Sequence, residues 1–317
     1  MIRAQLNHAA AELAAAGIDA SSSDARSLAA HVLGLTVAQL HTRLALGDEA
    51  FGPEQLSRFD ELIRLRAERV PLQHLTGIAY FRHVEVRVGP GVFVPRPETE
   101  LLAGLGISAL RRAHQRRTCA SPSAGVGADD ARAVAAADLC AGSAAMTLSL
   151  ALEAPGSQVF GVELSKEAFA WSEQNLAAYR DRLAETGSKV ELVRADAATA
   201  LAGHEAGIDV VVSNPPYIPH GATPVDPEVR DHDPDMALYG GSADGLRIPA
   251  AIAQRAGALL VDDGYFAMEH SEEQGATVRY MLQSQEIWAG IETHRDLTGR
   301  DRVTAARRIK RQGTAPD

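Results

Sequence analysis

Residues 136–148 read AADLCAGSAAMTL. An apolar run ends on Asp138, small residues follow, and an apolar helical pattern begins at Ala145. That order predicts a buried strand, a tight loop containing Gly142, and a helix. Such a loop presents backbone N–H groups at a helix N-terminus, where a ligand can lie against them. Outward from it, strand patterns recur at 158–164 (QVFGVEL), 190–196 (VELVRAD), 208–214 (IDVVVSN), 264–270 (GYFAMEH), 287–295 (IWAGIETHR) and 302–309 (RVTAARRI). Helical patterns at 145–154, 165–185 and 244–260 separate several of them. Strands alternating with helices predict an α/β fold, a doubly wound and mostly parallel sheet of seven strands. No helix is predicted between the last two strands, which suits an antiparallel pair at one edge.

The first four strands each end on a polar residue. Asp138 closes the first. Glu163 closes the second about 20 residues on, at the spacing of an acid that accepts hydrogen bonds from ribose hydroxyls. Asp196 closes the third, where an adenine amino group would lie. The fourth runs from valines into Asn214-Pro215-Pro216-Tyr217, an abrupt stop at the carboxyl edge of a sheet. Any one of these reads as an ordinary strand end or turn. Four on one edge read as a site for a nucleoside cofactor.

The rest of the chain frames this sheet. The protein has 317 residues, 46% hydrophobic and 23% charged, with a net charge of -10. That charge argues against generic nucleic-acid binding, which needs Lys and Arg on phosphate. Two cysteines, Cys119 and Cys140, imply no disulfide framework and a reducing compartment. The N-terminus lacks a signal-peptide core, and the longest uncharged apolar stretch, 139–152, is too short to span a bilayer, so a soluble cytoplasmic protein is expected. Residues 1–75 read as a small helical domain, with cap signals at the 21–24 Ser/Asp cluster and Thr36, and Pro53 in a first turn. Arg58, Arg64, Arg66 and Arg69 interleave with acids there and read as a solvated face. Residues 76–95 read as a hairpin linker that breaks at Gly89-Pro90-Gly91, and 96–309 as the domain that carries the sheet. Within it, 118–133 reads as a flexible loop, and Arg111, Arg112, Arg116 and Arg117 as a solvated helix end. The tail 310–317 reads as disordered. No histidine shows metal-ligand spacing, and no metal is expected. Residues 231–241 suit either a metal loop or a loop on the substrate side. Glu269-His270 reads as support for the site.

The order of strands and polar ends resembles class I S-adenosylmethionine (SAM) methyltransferases, with a Rossmann-like seven-stranded sheet. The Asn-Pro-Pro-Tyr stretch resembles the signature of enzymes that methylate a planar, sp2-attached nitrogen. HLTG (74–77), FVPRPETELL (93–102), VVSNPPYIP (211–219), ALYGGSADGL (237–246) and RDLTGRDRVTAAR (295–307) are similar to the PrmC/HemK family, across nearly the whole chain. That family comprises the protein-(glutamine-N5) methyltransferases of class I peptide chain release factors. The resemblance implies SAM as donor and S-adenosylhomocysteine as product. The acceptor it implies is the side-chain amide of the Gln in a Gly-Gly-Gln loop, with the N-terminal domain helping to hold the release factor.

Residue by residue, the resemblance gives Asn214, Pro215, Pro216 and Tyr217 to the Gln amide, with Asn214 also near the methyl. Glu163 goes to the ribose, Asp196 and Ala197 to the adenine, and Cys140, Ala141, Gly142, Ser143 and Ala144, following Asp138, to the methionine part. Arg96, Pro97 and Glu98 have two readings: a lining near the cofactor, or a helix N-terminus with Pro97 at its first position. The family loop reads Gly-x-Gly-x-Gly, whereas only the central Gly142 remains here. Cys140 is expected to be strained if its φ is positive. Two alternatives stand beside the leading reading: a nucleic-acid amino methyltransferase acting on a flipped base, and a non-catalytic relative with a weakened SAM site.

Overall fold

The computed structural model describes residues 2–47, 50–120 and 132–310, and these divide into two compact units. The first comprises the chain up to Ile78 together with Val88–Pro90 and Pro224–Asp233; the second comprises Ala79–Arg87, Gly91–Thr223 and the chain from Pro234 onward. Of the expected flexible loop, residues 121–131 lie outside the described residues, as do 311–317 of the tail.

In the first unit, helices α1 (Ile2–Ala15), α2 (Ser21–Leu33), α3 (Val37–Leu46), α4 (Pro53–Ala67) and α5 (Leu72–Thr76) turn apolar stripes inward. Ile2, Leu6, Ala9 and Leu13 at helical spacing meet Leu28, Leu40, Phe59, Leu62 and Ile63, and Phe51 stacks on Phe59 at 4.9 Å. Thr36 and Gln39 form a capping box at α3, as the sequence suggests. At α2 the expected cap is replaced: Ala20 holds the N-cap with no side-chain bond, and Asp24 turns inward instead. The reason is Arg66. It is not on a solvated face but buried, donating to Asp24 (2.8 Å) and to Glu228 (2.7 Å), while Arg69 donates to Glu228 (2.5 Å) and to the Gly17 carbonyl (2.7 Å). A buried guanidinium needs such partners. Glu228 lies on α10 (Pro227–His232), so Pro224–Asp233 is anchored in this unit. Arg58 and Arg64 do lie at the surface, paired with Glu61 and Glu68.

In the second unit, β1 (Ile78–Phe81), whose first residue belongs to the other unit, and β2 (Val84–Arg87) form a hairpin. Its turn lies at Arg82, with φ 51°, and not at Gly-Pro-Gly. Helix α6 begins at Thr99, after a turn at 96–98, so Pro97 precedes the helix; it runs to Ala120 and absorbs the start of the expected loop. There follow β3 (Ala135–Leu139), α7 (Ala145–Glu153), β4 (Gln158–Glu163), α8 (Lys166–Ala178), α9 (Arg180–Thr186), β5 (Lys189–Arg194) and β6 (Ile208–Ser213). Helix α11 (Asp235–Leu238), α12 (Arg247–Leu259), β7 (Leu260–Glu269), α13 (Gly275–Ser284), β8 (Trp288–Arg295) and β9 (Asp301–Arg308) complete it. The single helix expected over 165–185 breaks at Tyr179 into α8 and α9, and α13 has no counterpart among the expected helices.

Among the described residues the main sheet has seven strands in the order β5-β4-β3-β6-β7-β9-β8. The first five are parallel, and β9 inserts antiparallel between β7 and β8. Every residue of β3 and β6 is buried, as expected for central strands covered on both faces. One face packs Ala135, Ala137, Phe160, Val211 and Phe266 on residues of α12 and α13. The opposite face receives α6 and α7 closely: a Cβ on Gly106 would stand 2.8 Å from Val212, and one on Gly161 would stand 2.9 Å from Thr147. The basic cluster on α6 is not simply solvated either. Arg117 donates to both oxygens of buried Asp209 (2.7 and 2.8 Å), and Arg111 donates to the Glu153 carbonyl (2.9 Å). No helix among the described residues is long and apolar enough to cross a membrane.

Candidate active site

The strand order reverses between β3 and β6, so the crevice of an open α/β sheet lies at their carboxyl ends. The residues singled out in the sequence follow those ends.

Beyond β3, Cys140, Gly142 and Ala144 all have positive φ, 83°, 57° and 64°. These are the three glycine positions of the family loop, and two of them carry a Cβ here. The strain expected at Cys140 is therefore present, at Ala144 as well. The loop is held by compensating bonds. The Cys140 and Ala141 amides donate to the Val162 carbonyl (3.0 and 2.8 Å), the Ser172 hydroxyl donates to the Gly142 carbonyl (2.5 Å), and Asn175 Nδ2 donates to the Ser143 carbonyl (2.9 Å). Ser172 and Asn175 carried no signal in the sequence; they sit one turn apart on α8. Burial pushes the Cys140 thiol well up, with Glu163 and Asp138 adding to it, so it is not a reactive thiolate.

Glu163 bridges the loop and the next turn. Its Oε2 accepts from the Gly142 amide (2.8 Å) and its Oε1 from the Ser165 amide (2.7 Å). Burial raises its proton affinity, while these amides and that of Leu164 oppose the rise. Each oxygen retains a lone pair, enough for two vicinal hydroxyls. Around Gly142 nothing approaches within 4 Å of where a Cβ would stand. The amides of Cys140, Ala141, Gly142 and Ala144 all donate within the protein, so it is the spare acceptor capacity of Glu163 beside an open loop that fits a nucleoside cofactor.

Asp138 is fully buried beneath the loop and accepts from Thr147 (2.7 Å), so its side chain braces α7 from inside the fold. Asp196 and Ala197 lie past the end of β5, which stops at Arg194; Asp196 is exposed and accepts from the Ala198 amide (2.8 Å), and Ala197 is buried. Arg96 stacks over Phe93 (5.2 Å), and Glu98 is exposed.

At the end of β6 the Ser213 hydroxyl donates to the Leu139 carbonyl, tying the fourth strand end to the first. Asn214 Nδ2 donates to Thr99 Oγ1 (3.2 Å), Pro215 and Pro216 are buried, and the Tyr217 hydroxyl lies 3.5 Å from Glu269 Oε1. Burial, and then the nearby Glu269 charge, raise the Tyr217 phenol, so it stays protonated. The ALYGGSADGL stretch holds the backbone of this motif. Ile218 donates to the Leu238 carbonyl (2.8 Å), Gly240 donates to the Ile218 carbonyl (3.0 Å), and Gln274 Nε2 donates to the Tyr217 carbonyl (2.9 Å). Gly245 abuts that same carbonyl; a Cβ there would come within 2.1 Å of it. Gln274 carries no signal in the sequence. Thr99 reads there, with Pro97 and Glu98, as an opener of a helix, and α6 indeed begins with Thr99.

Two family models match the chain: the PrmC N-terminal domain over residues 4–77 and the methyltransferase small domain over residues 128–227. A release factor glutamine methyltransferase of Bifidobacterium longum is 39% identical over 95% of this chain and 97% of its own. The chain belongs to the release factor glutamine methyltransferase family. A second member, from Streptomyces coelicolor, is 39% identical over 97% of this chain and 98% of its own. A relative named 4-amino-L-phenylalanine/4-methylamino-L-phenylalanine methyltransferase, from Streptomyces pristinaespiralis, is 34% identical over 90% of this chain and 88% of its own.

Proposed function

We propose that this protein transfers a methyl group from SAM to the side-chain amide nitrogen of the Gln in the Gly-Gly-Gln loop of class I peptide chain release factors. The observation that carries this reading is the complete Asn214-Pro215-Pro216-Tyr217 motif at the β6 end, set beside the end of β3 and tied to it through Ser213. An amide nitrogen is a poor nucleophile because its lone pair is delocalised into the carbonyl. The Asn214 Oδ1 and the Pro215 carbonyl accept its two N–H bonds and turn the lone pair toward the methyl carbon. As the new N–C bond forms, those same acceptors stabilise the positive charge developing on nitrogen, and one N–H proton is then lost to solvent. Tyr217, protonated and half-buried, supplies a flat wall for the planar amide.

SAM, when bound, supplies a methyl on a sulfonium that leaves as a neutral thioether. In this reading Glu163 takes the ribose hydroxyls, Asp196 and Ala197 the adenine, and residues 140–144 the methionine portion. Asp138 acts by bracing α7, the helix that follows the loop, and Arg96 and Glu98 line the neighbouring edge. The first unit, with Pro224–Asp233, grips the release factor. Such an enzyme works in the cytoplasm, where release factors act, and without a nucleic-acid substrate.

The test is intact-mass spectrometry of an unmodified class I release factor incubated with this protein and SAM, with a Gln→Ala factor as control. One methyl on the parent and none on the control is the expected result. The relative from Streptomyces pristinaespiralis motivates a second acceptor in the same experiment, 4-amino-L-phenylalanine, whose aryl amine is also planar. Methylation of that amine alone would overturn the protein-substrate reading.

A further inference from the structure

Pro215 and Pro216 bring no N–H, and residues 214–217 lie outside any helix or strand. The ladder between β3 and β6 ends at Ser213. The path of the motif therefore depends on what grips its carbonyls and side chains. The Tyr217 carbonyl is gripped from two sides. Gly245, at φ +74°, packs so closely that a Cβ there would stand 2.1 Å from its oxygen and 2.9 Å from its carbon. Gln274 Nε2 donates to the same oxygen at 2.9 Å.

Gln274 is 7% exposed and sits at the N-cap of α13. Its backbone is fixed there: its N–H donates to the Ser271 carbonyl (3.0 Å), and its carbonyl accepts from Val278 (2.8 Å). Its Nε2 also donates to the Asp244 carbonyl (2.9 Å), and its Oε1 accepts from the Ser271 amide (3.1 Å). A carbonyl only accepts and a backbone N–H only donates, so a single orientation of the side-chain amide satisfies all three bonds. In that orientation both of its hydrogens are spent. One buried side chain thus ties together the motif, the loop at 240–246 and the start of α13. The Asp244 side chain stiffens that loop in turn, accepting from Ser242 Oγ (2.6 Å) and from the Leu246 amide (3.1 Å).

Resting on the function proposed above, we infer that Gln274 is a positioning residue that holds the Tyr217 carbonyl against Gly245. It thereby fixes where the Pro215 carbonyl and the Tyr217 ring meet the substrate amide. Its own amide is spent inside the protein, so it acts through the backbone of the motif. A displacement of about 1 Å there is enough to slow transfer by up to about a hundredfold. Gln274 works at the β6 end and not on the 140–144 loop, so its loss slows transfer without weakening SAM binding.

The experiment measures steady-state methylation of a release factor from about pH 6 to about pH 8.5 by wild type, Gln274→Met and Gln274→Glu. SAM affinity is measured by calorimetry, and the assay temperature is one at which melting curves show each protein folded. Met is similar in size and has no N–H, so kcat is expected to fall about tenfold at every pH, with KM and SAM affinity little changed. Glu keeps the shape of Gln, but ionised it turns a charged acceptor toward two carbonyls, whereas protonated it recovers one of the two donors. Burial favours the protonated form. The Gln274→Glu enzyme is therefore expected to lose about a hundredfold in kcat at the alkaline end and to come within about threefold of wild type at the acid end. Asp244, Glu269, His270, Asp301 and Arg302 on the surrounding segments are common to all three proteins, so their titration divides out of the ratio to wild type. A Gln274→Met enzyme with wild-type kcat overturns the inference, as does a SAM affinity that falls in step with kcat. If Gln274→Met fails to fold, the Gln274→Glu enzyme decides, and a ratio to wild type that does not change with pH overturns the inference equally. A wild type that leaves the release factor unmethylated overturns instead the function on which the inference rests, and the inference with it.

Discussion

Replacing Asp138 with asparagine is expected to flatten the pH dependence of folding stability. Asp138 is fully buried; one oxygen accepts from Thr147 and the other, Oδ1, has no hydrogen-bond partner. Burial, supplemented by the Glu163 charge, pushes its pKa from 3.8 up to about 7. An acid whose pKa is raised on folding favours the folded state fully only below its unfolded pKa. That advantage is lost as pH rises through the folded value. At about 1.4 kcal/mol per tenfold change in proton affinity, the loss totals about 4 kcal/mol above pH 7, and about 2 of that falls between pH 5 and pH 7. Asn has no proton to lose and can still accept from Thr147. Its extra N–H bonds add an offset that does not vary with pH. Glu269, also pushed up to about 7 by burial, contributes in the same sense to both proteins and cancels in the comparison. The assay is urea unfolding by tryptophan fluorescence between pH 5 and 8, since Trp171 and Trp288 both lie in the second unit. The difference in stability should move toward the variant by about 2 kcal/mol from pH 5 to pH 7. Parallel curves would refute the assignment of a buried, titrating acid at this position.

Gly245→Ala forces a methyl to within 2.1 Å of the Tyr217 carbonyl, at a residue with φ +74°, so the backbone of the motif must shift. Methyl transfer is expected to drop by about a hundredfold or more, read as product formed under single-turnover conditions. Gly142→Val meets no steric obstacle but puts a β-branched residue at φ 57°. It is expected to cost about 1–2 kcal/mol of stability by urea titration and to weaken SAM binding measured by calorimetry. Arg66→Ala leaves Asp24 buried without its guanidinium and Glu228 with Arg69 alone. A loss of about 3–5 kcal/mol is expected, visible as rapid protease cleavage within the first unit.

What was legible in the sequence was whatever is local. A buried strand that ends on a polar residue announces itself within a few positions, and so Asp138, Glu163 and Asn214 could be placed at strand ends and the edge pair β8–β9 anticipated. Partnerships across the chain were not. Arg66 sits among arginines that do pair with local acids, yet its own partners are 42 and 162 residues away. Gly89-Pro90-Gly91 looked like the hairpin turn because its composition demands one, while Arg82 makes the turn at φ 51° where composition gives no warning. Thr99, Gln274 and Gly245 shape the motif by contact from other segments, and no spacing rule connects them to Tyr217. The altered loop was the one strain that could be anticipated, because Cys140 and Ala144 stand where the family keeps glycine.

The segment Pro224–Asp233 begins seven residues after Tyr217 in the chain, yet it belongs to the first unit through Glu228. The N-terminal helices are therefore not a cassette. A fragment cut at Ile78 carries Arg66 without one of its two acids, and a chimera bearing a relative's helices carries this chain's α10 against a foreign surface. Recombination between relatives can exchange the two stretches only together. Lineages that alter one are expected to alter the other, so that residues 224–233 are inherited as part of the N-terminal unit although they are encoded far from it.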